Sequence, residues 1–217
     1  SGAIKKINIQ SISFFAPGLA LNVGASLGSN PYIINLSAHC IPKSEAYVSE
    51  MLSELQSGKY AGVFGKQLPL SGSGAQNSID LLLSYLNESR IYRRTPIFNN
   101  ANSIIPRAIH EEFRFDSEVS NLEDFIWAKE ILAAGYEIKY TPSGAVYHLH
   151  GPHQHSTITT ERAEKSLSVL LDKGWIAFDE PWFCDATKLN VVVEIVGESE
   201  SGLDVRKLKE SVSRLTF

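Results

Sequence analysis

Four histidines lie within eight positions of the segment HLHGPHQH: His148, His150, His153 and His155. Histidine is the commonest metal-ligating side chain, and two imidazoles one residue apart at a strand end can face one ion through a turn. Histidine clusters also occur on protein surfaces without a function. The residues alone therefore leave two interpretations open, a metal site and an incidental cluster.

Glu123 and Asp124 are adjacent carboxylates at the start of a predicted helix. Acidic residues are favoured there because they complement the helix dipole and its unpaired amides. The chemical alternative is a general base, which requires a carboxylate near a hydroxyl that it can deprotonate.

Polar side chains in or after two apolar stretches are further candidates. Asn99, Asn100 and Asn102 interrupt the run IFNNANSII, where either turn chemistry or hydrogen bonding to a sugar or diphosphate would explain them. His39 follows the apolar run YIINL, and loop residues at strand ends often carry function, although a lone histidine is more often structural.

The elements that must position these side chains alternate between strands and helices. The patterns predict strands at 4–15, 32–36, 60–68, 97–105, 136–140, 145–150 and 189–197, and helices at 19–28, 45–56, 79–86, 121–134, 160–173 and 204–215, with a short helix after Pro106. The run YIINL is typical of a buried parallel strand, Gly135 is predicted to end the helix before it, and a Pro-Ser-Gly turn is predicted between the strands at 136–140 and 145–150. This alternation predicts an α/β fold with a largely parallel sheet. Ligands of such sheets lie beyond the carboxyl ends of strands, where His39, His148 and His150 fall.

The composition narrows the class of protein. A chain of 217 residues with 43% hydrophobic and 20% charged residues fits one globular domain, or one with a small appendage. The net charge of -4, without a basic block, gives no reason to expect nucleic acid as a partner. Cys40 and Cys184 are far apart and predict reduced thiols rather than a disulfide. The sequence has no apolar run long enough to span a bilayer.

Several motifs, in one order between about Phe15 and His150, resemble the family 2 glycosyltransferases of the GT-A fold. Ala20, Asn22 and Gly24 carry an A-x-N-x-G pattern, and YAGVFGKQLPL carries G-(K/R)-Q-x-P. The segment from FNNANS to VYHLH resembles the family's acceptor-side block: N-x-x-x-R, F-(D/E), the Glu-Asp helix, G-(Y/F)-x-I-x-Y-x-P and V-x-H-x-H.

The resemblance implies a GT-A (Rossmann-like) fold with a mostly parallel sheet flanked by helices. We expect a partial GT-A domain at 1–156 and a C-terminal extension of helix, strand and helix at 157–217. The family's first strand-helix-strand unit binds the nucleotide base, and nothing before Ile4 matches it. Because Met51 is the only methionine, we also expect an N-terminally truncated chain or one cut from a longer protein.

The resemblance further implies inverting transfer of a sugar from a nucleotide-sugar donor to a hydroxyl group. Asp124 would be the general base, with Glu123 as its neighbour or substitute. The family's metal-binding D-x-D reads Ser37-Ala38-His39 here, so one acid is lost and histidine replaces the other. The implied ligands of a divalent cation are His39 and His148, with His150 as third choice, and imidazoles favour Mn²⁺ over Mg²⁺. The residues expected around donor and acceptor are Ser37, Lys66, Gln67, Asn99, Asn102 and Arg107.

The expected partners are a nucleotide-sugar donor and a glycan or lipid-linked acceptor, in bacterial surface polysaccharide synthesis. The expected location is the cytoplasm or the inner face of the membrane, with peripheral membrane association and a further domain of the same parent chain as open options. Two alternatives remain. One is a non-catalytic transferase-like module that binds carbohydrate or acts as a scaffold. The other is a metal-dependent hydrolase, because His148, His150 and His153 resemble a metallo-β-lactamase-type spacing; however, Pro152 replaces the aspartate of that site and no later histidine follows.

Overall fold

The computed structural model describes residues 8–11, 16–119, 121–149, 166–172 and 174. The chain divides into two compact units, Ser1–Trp175 and Ile176–Phe217, and the second lies outside the described residues. The predicted strand at 189–197 and the predicted helix at 204–215 lie there, so the predicted extension stays a prediction. Of the predicted strand at 4–15, residues 8–11 have no regular structure, and most of the rest lies outside the described residues.

The described strands form one sheet of six. They are β1 (Tyr32–Leu36), β2 (Cys40–Pro42), β3 (Tyr60–Pro69), β4 (Arg90–Tyr92), β5 (Asn102–Pro106) and β6 (Glu137–His148). Their order is β1-β5-β3-β6-β2, with β4 also paired to β6. The pair β3/β6 is parallel, and the other pairs are antiparallel.

The expected mostly parallel sheet is therefore wrong, because the sheet is mixed. Parallel neighbours need a crossover connection, whereas β5 runs antiparallel between β1 and β3. The run YIINL was expected to be a buried parallel strand, but β1 lies at one end of the strand order. Ile33 and Asn35 of this run are buried, and Ile34, on the opposite face, is partly buried against the cluster that contains Met51.

Five helices flank the sheet: α1 (Pro17–Ser26), α2 (Tyr47–Gln56), α3 (Ala75–Ser84), α4 (Arg107–Glu112) and α5 (Glu123–Ala133). Residues 166–172 are also helical. Helix α2 buries Tyr47, Met51 and Leu55, as its helical spacing predicts. Helix α5 ends before Gly135, whose φ of 85° confirms the predicted glycine stop.

The hydrophobic core lies on both faces of the sheet. Successive residues of a strand point to opposite faces. Val63 packs in a cluster with Met51 of α2, whereas its neighbour Phe64 packs in a cluster with Trp127 of α5. The described chain thus forms three layers, with α2 and α5 on opposite sides of β3. Among the described residues, no helix has the length and apolar character needed to cross a bilayer.

Strand β6 runs through the Pro-Ser-Gly segment that was predicted to be a turn between two strands. Its pairing with β3 shifts there, from Gly65 opposite Thr141 to Gln67 opposite Val146. Gly144, with φ of 60°, lies within this bulge. The shift carries the last residue of β6, His148, to the end of the sheet beside β2, where it pairs with Cys40.

Candidate functional site

His39 and His148 meet at one end of the sheet. His148 closes β6 and is only 4% exposed, whereas His39 lies exposed in the turn between β1 and β2. Their rings stack with centroids 4.6 Å apart and planes at 18°. The structure therefore brings together two of the three predicted metal ligands, while His150, like His153 and His155, lies outside the described residues.

A backbone N–H fixes the orientation of the polar side chains behind His148. The N–H of Ala101 donates to Oδ1 of Asn99 at 2.9 Å, and because a backbone N–H can only donate, this side-chain atom must be the oxygen. Nε2 of Gln67 donates to the same oxygen at 2.8 Å. The remaining amide oxygen of Gln67, Oε1, accepts a hydrogen bond from Nδ1 of His148.

This chain of hydrogen bonds selects the tautomer of His148. Since Oε1 of Gln67 is an acceptor, Nδ1 of the imidazole carries the proton. In the neutral ring, Nε2 then carries the lone pair, which is the form that ligates a metal. Gln67 and Asn99 were predicted to contact substrate, and the structure places both behind His148 as its support.

The donor atoms of the described residues fit a divalent cation only in part. Within the described ranges, no group of three or more histidine, cysteine or acidic side chains could surround an ion. Near-parallel rings direct their in-plane lone pairs side by side, so the exposed His39 ring must turn before both lone pairs meet one ion. The backbone of Ser37 bonds to Ala101 and Cys40, and its hydroxyl is a weaker metal ligand than a carboxylate. The two imidazoles therefore supply fewer ligands than a cation held by protein side chains alone requires.

Helix α5 begins with the two carboxylates. Leu122, in the left-handed conformation at φ 66°, turns the chain into the helix. Oδ1 of Asp124 accepts a hydrogen bond from the N–H of Phe125 at 2.8 Å. Glu123 is buried, and Nδ2 of Asn100 donates to its Oε1 at 3.3 Å.

Burial controls the protonation of both acids. The pKa of Asp124 is raised to about 7; burial is the largest cause, the charge of Glu123 adds to the rise, and the backbone N–H groups of Phe125, Asp124 and Asn100 act in the opposite direction. Burial also raises the pKa of Glu123, against a hydrogen bond from Asn100. An acid that only complemented a helix dipole would keep a low pKa, whereas an acid with a pKa near neutrality can exchange protons at physiological pH.

The loop at 97–101 links the histidine pair to the carboxylates. The sequence predicted a strand over 97–105, but the strand begins only at Asn102. Within the loop, Asn99 supports Gln67, and through it His148, while Asn100 supports Glu123 and Asp124. The two asparagines thus hold the two halves of the site in one framework.

Tyr85, at the end of α3, belongs to the same framework and was not predicted. Its side chain lies close enough to Gln67 and Asp124 for both to influence its pKa. Burial raises that pKa, the charge of Asp124 adds to the rise, and the amide of Gln67 opposes it. Nothing in the apolar helix pattern IDLLLSYL separates this tyrosine from an ordinary core aromatic residue.

Asn102 and Arg107, two of the residues predicted to contact substrates, make hydrogen bonds within the fold. Asn102 is fully buried; its Nδ2 donates to the carbonyl oxygens of Gly144 at 2.9 Å and Lys66 at 3.3 Å, and its Oδ1 accepts from the Tyr47 hydroxyl at 2.9 Å. It therefore joins β5 to β3, β6 and α2.

Arg107 lies beyond the other end of β5 from Asn102. Its Nε donates to the Asn30 carbonyl at 2.6 Å, and its Nη1 donates to the Ala25 carbonyl at 2.9 Å, next to the end of α1. Lys66 is nearer the site, and its Nζ bonds to Oδ1 of Asn87.

Comparison with known proteins identifies the class of fold. No protein-family model and no curated protein matches the chain. Among solved structures, the chain is similar to the mannosyltransferase PcManGT from Pyrobaculum calidifontis in complex with GDP-Man and Mn²⁺. The sequence identity is 15% and the TM-score 0.51, over 77% of this chain and 46% of that one.

Two further glycosyltransferase structures match more distantly. GalNAc-T7 with UDP, GalNAc and Mn²⁺ matches at 15% identity and a TM-score of 0.48, over 62% of this chain and 30% of that one. TarS 1-349 from S. aureus matches at 14% identity and a TM-score of 0.46, over 62% of this chain and 40% of that one. The chain thus spans less than half the length of each structure. The similarity to PcManGT shows that this chain has a glycosyltransferase-like fold of the GT-A type.

Proposed function

We propose that this chain transfers a sugar from a nucleotide-sugar donor to a hydroxyl of a glycan or lipid-linked acceptor, with inversion at the anomeric carbon. The observation that carries the proposal is Asp124. Its pKa lies near 7, and the loop at 97–101 joins it to His148 within a glycosyltransferase-like fold. A base of this pKa is poised to deprotonate an alcohol at neutral pH.

In the proposed reaction, Asp124 accepts the proton of the acceptor hydroxyl while the hydroxyl oxygen forms a bond to the anomeric carbon. The bond from that carbon to the diphosphate oxygen breaks, and the diphosphate leaves with the electron pair. A single direct displacement inverts the configuration. Glu123 raises the pKa of Asp124 through its charge, and Asn100 holds Glu123 in place.

We further propose that His39 and His148 hold a divalent cation, with Mn²⁺ preferred to Mg²⁺ because imidazole is a softer ligand than carboxylate. When bound, such a cation would offset negative charge on the leaving diphosphate. Gln67 and Asn99 keep the proton of His148 on Nδ1, so that Nε2 faces the ion. His150 stays a predicted third ligand, and Ser37 and Lys66 stay predicted neighbours of the substrates.

The family, the biological process and the location of the protein are also proposals. We infer a member of glycosyltransferase family 2 that acts in bacterial surface polysaccharide synthesis, in the cytoplasm or at the inner face of the membrane.

A non-catalytic, carbohydrate-binding or scaffold module is the second candidate. The replacement of the two D-x-D acids by Ser37 and His39 favours it, because two imidazoles hold a hard cation less firmly than carboxylates do.

Calorimetric titration separates the two candidates. UDP, GDP and dTDP would each be added to this chain with and without Mn²⁺. The transferase proposal expects one nucleotide to bind in a Mn²⁺-dependent manner, and His148→Ala to abolish that dependence. His110→Ala is the matched control, since His110 is a buried histidine hydrogen-bonded to Asn22. The absence of binding by every nucleotide would contradict the transferase and leave the scaffold.

A further inference from the structure

Tyr85, the residue that caps the end of helix α3, lies on the side of the sheet that carries the carboxylates. Its side chain packs against the core cluster that contains Trp127 of α5. The ring of Tyr140 in β6 lies 6.0 Å from its ring, measured between centroids, and the two planes meet at 50°. Contacts with β6 and with the layer of α5, the helix of Asp124, therefore fix the position of Tyr85.

The Tyr85 hydroxyl lies close to both halves of the candidate site. Burial raises its pKa most; the charge of Asp124 adds to the rise, and the amide of Gln67 opposes it. Gln67 is the side chain that bonds to His148, whereas Asp124 is the proposed base. Tyr85 is thus a second link between the two halves, beside the loop at 97–101.

The phenolic proton of Tyr85 is available to a ligand. A hydrogen bond that lowers the pKa of a phenol comes from a donor, so the Gln67 amide faces the phenolic oxygen with an N–H. The amide nitrogen has a second N–H for this purpose, since one already donates to Asn99. Tyr140 donates its hydroxyl to the Leu86 carbonyl at 2.6 Å, whereas none of the described residues accepts the proton of Tyr85.

In the proposed reaction, the transferred sugar has to lie between the same two halves. A direct displacement requires the attacking oxygen, the anomeric carbon and the leaving oxygen to lie roughly on one line. Asp124 must be within hydrogen-bond reach of the attacking oxygen, and the leaving diphosphate belongs with the cation at His148. The sugar ring then occupies the space between Asp124 and the Gln67–His148 pair, which the Tyr85 hydroxyl borders.

We propose that the Tyr85 hydroxyl binds the transferred sugar, by donating a hydrogen bond to one of its hydroxyl oxygens. This inference rests on the proposed function and adds to it a residue that selects the sugar. A deoxy sugar without an oxygen at that position would leave the Tyr85 hydroxyl buried and unpaired. Sites built to hydrogen-bond a substrate hydroxyl discriminate against the analogue that lacks it, because the unpaired group has lost its contact with water.

Calorimetry with matched ligands tests the proposal. In the presence of Mn²⁺, UDP, GDP and dTDP would be compared with UDP-glucose, GDP-mannose and dTDP-glucose. For the nucleotide that binds, we expect Tyr85→Phe to weaken the binding of the nucleotide-sugar about 3- to 10-fold, the effect of one hydrogen bond. The same variant should bind the nucleoside diphosphate like the parent chain, because the ring remains and the hydroxyl faces the sugar.

Tyr140→Phe is the matched control, because the Tyr140 hydroxyl bonds to the backbone of Leu86, next to Tyr85. It should lower the stability measured by urea unfolding and leave the ratio of the two affinities unchanged. Equal weakening of both ligands in Tyr85→Phe, or no weakening of either, would overturn this inference while the proposed transferase stands. If the parent chain binds neither kind of ligand, the proposed function is wrong and this inference falls with it.

Discussion

The backbone N–H of Ala101 sets the orientation of the Gln67 amide indirectly, because it bonds to Asn99, which in turn bonds to Gln67. Ala101 fixes Asn99, Asn99 fixes Gln67, and Gln67 fixes the proton of His148. A hydrogen bond to the other ring nitrogen orients a metal-ligating histidine and sets its tautomer. Rotation of the Asn99 amide would place its NH₂ group against the N–H of Ala101, and rotation of the Gln67 amide would place its oxygen against the oxygen of Asn99. The hydrogen bonds therefore determine the orientation of both amides.

Replacement of Gln67 by methionine should release this tautomer. The variant keeps the side-chain volume but removes the acceptor for Nδ1, so both neutral tautomers of His148 should become populated. ¹⁵N NMR of the imidazole reports the change directly. We also expect Mn²⁺ affinity, measured by calorimetry with the nucleotide, to fall about 10- to 100-fold. The exposed Gln56, changed to methionine, is the control, and an unaltered tautomer in Gln67→Met would contradict the account.

Glu123→Gln should lower the pKa of Asp124. Burial of Asp124 is the largest cause of its raised pKa, and the negative charge of Glu123 is the second, so removal of that charge leaves the burial but not the repulsion. The change is measured by the pH titration of the Asp124 carboxyl carbon in NMR spectra. Glu112→Gln, a change at an exposed residue of α4, should leave the pKa of Asp124 unchanged. A pKa that rises, or stays at about 7, in Glu123→Gln is incompatible with the proposed coupling.

At the scale of single residues, the sequence identified several residues of the candidate site but not all of their roles. His39, His148 and Asp124 were found by chemistry and motif order, and the structure brings the two histidines together. Tyr85 was not predicted because its position depends on which strands α3 packs against, here β3 with Gln67 and β6 with Tyr140. Asn102 was predicted to contact a substrate because an amide in an apolar run can bond to a substrate or to the backbone, and the structure shows that its side chain is fully buried and makes three hydrogen bonds within the fold.

At the scale of elements, the bulge in β6 decides where His148 lies. The segment 142–145 has no partner residue in the β3 register, and Gly144 within it faces Met51 of α2. The N–H of Gly144 donates to Oε2 of Glu50 at 2.9 Å, which ties the bulge to α2. Helix α2 therefore supports the strand that carries the histidine.

Gly144→Ala should destabilise the protein by about 2–4 kcal/mol. Its φ of 60° is strained for a residue with a Cβ, and that Cβ would lie 2.4 Å from the Met51 sulfur. Urea unfolding followed by circular dichroism measures the loss. Gly24→Ala is the control, because its Cβ meets nothing within 4 Å inside α1, and we expect a gain of about 0.5–1 kcal/mol there. A Gly144→Ala variant as stable as the parent would contradict the packing described for the bulge.

Most helices and strands could be predicted because the spacing of their apolar residues and their terminal residues is visible within a short stretch of sequence. The helical spacing of α2 and the glycine after α5 are read from neighbouring residues. The turn predicted within β6 was wrong, because proline and glycine signal a bulge as well as a turn, and only the long pairing with β3 selects between them. Strand direction also depends on distant partners, which is why the sheet was predicted to be mostly parallel.

At the scale of the whole molecule, the buried Asp124 sets a stability that depends on pH. The pKa of its carboxyl is raised in the folded state, so the folded protein holds a proton that the unfolded chain releases. The free energy of unfolding should therefore fall as the pH rises from the ordinary pKa of aspartate, near 4, to about 7, and the penalty is complete above that range.

Asp124→Asn should accordingly stabilise the protein at pH 8, by about 1–3 kcal/mol, and should leave its stability at pH 4 close to that of the parent. Urea unfolding at a series of pH values measures both. Asp80→Asn, on the exposed side of α3, should show no such dependence. A stability difference that does not grow with pH would show that the carboxyl is already ionised at low pH in the folded protein.

The overall fold was predicted from the order of several motifs along the chain, rather than from the spacing of apolar residues in any one helix or strand. The fold is similar to that of a solved structure with only 15% sequence identity. The mixed sheet and the three-layer packing required the pairing of residues far apart in the chain.

The most direct test of the central claim is the release of nucleoside diphosphate from a panel of nucleotide-sugars, followed from pH 5 to 9 in the presence of Mn²⁺. We predict release from one donor at a rate that rises with pH through about 7, as Asp124 loses its proton. We also predict a fall of about 10²- to 10⁴-fold in Asp124→Asn, with the Asp80→Asn control unchanged. Release that Asp124→Asn leaves intact, or release from none of the donors, would contradict the proposed role of this chain.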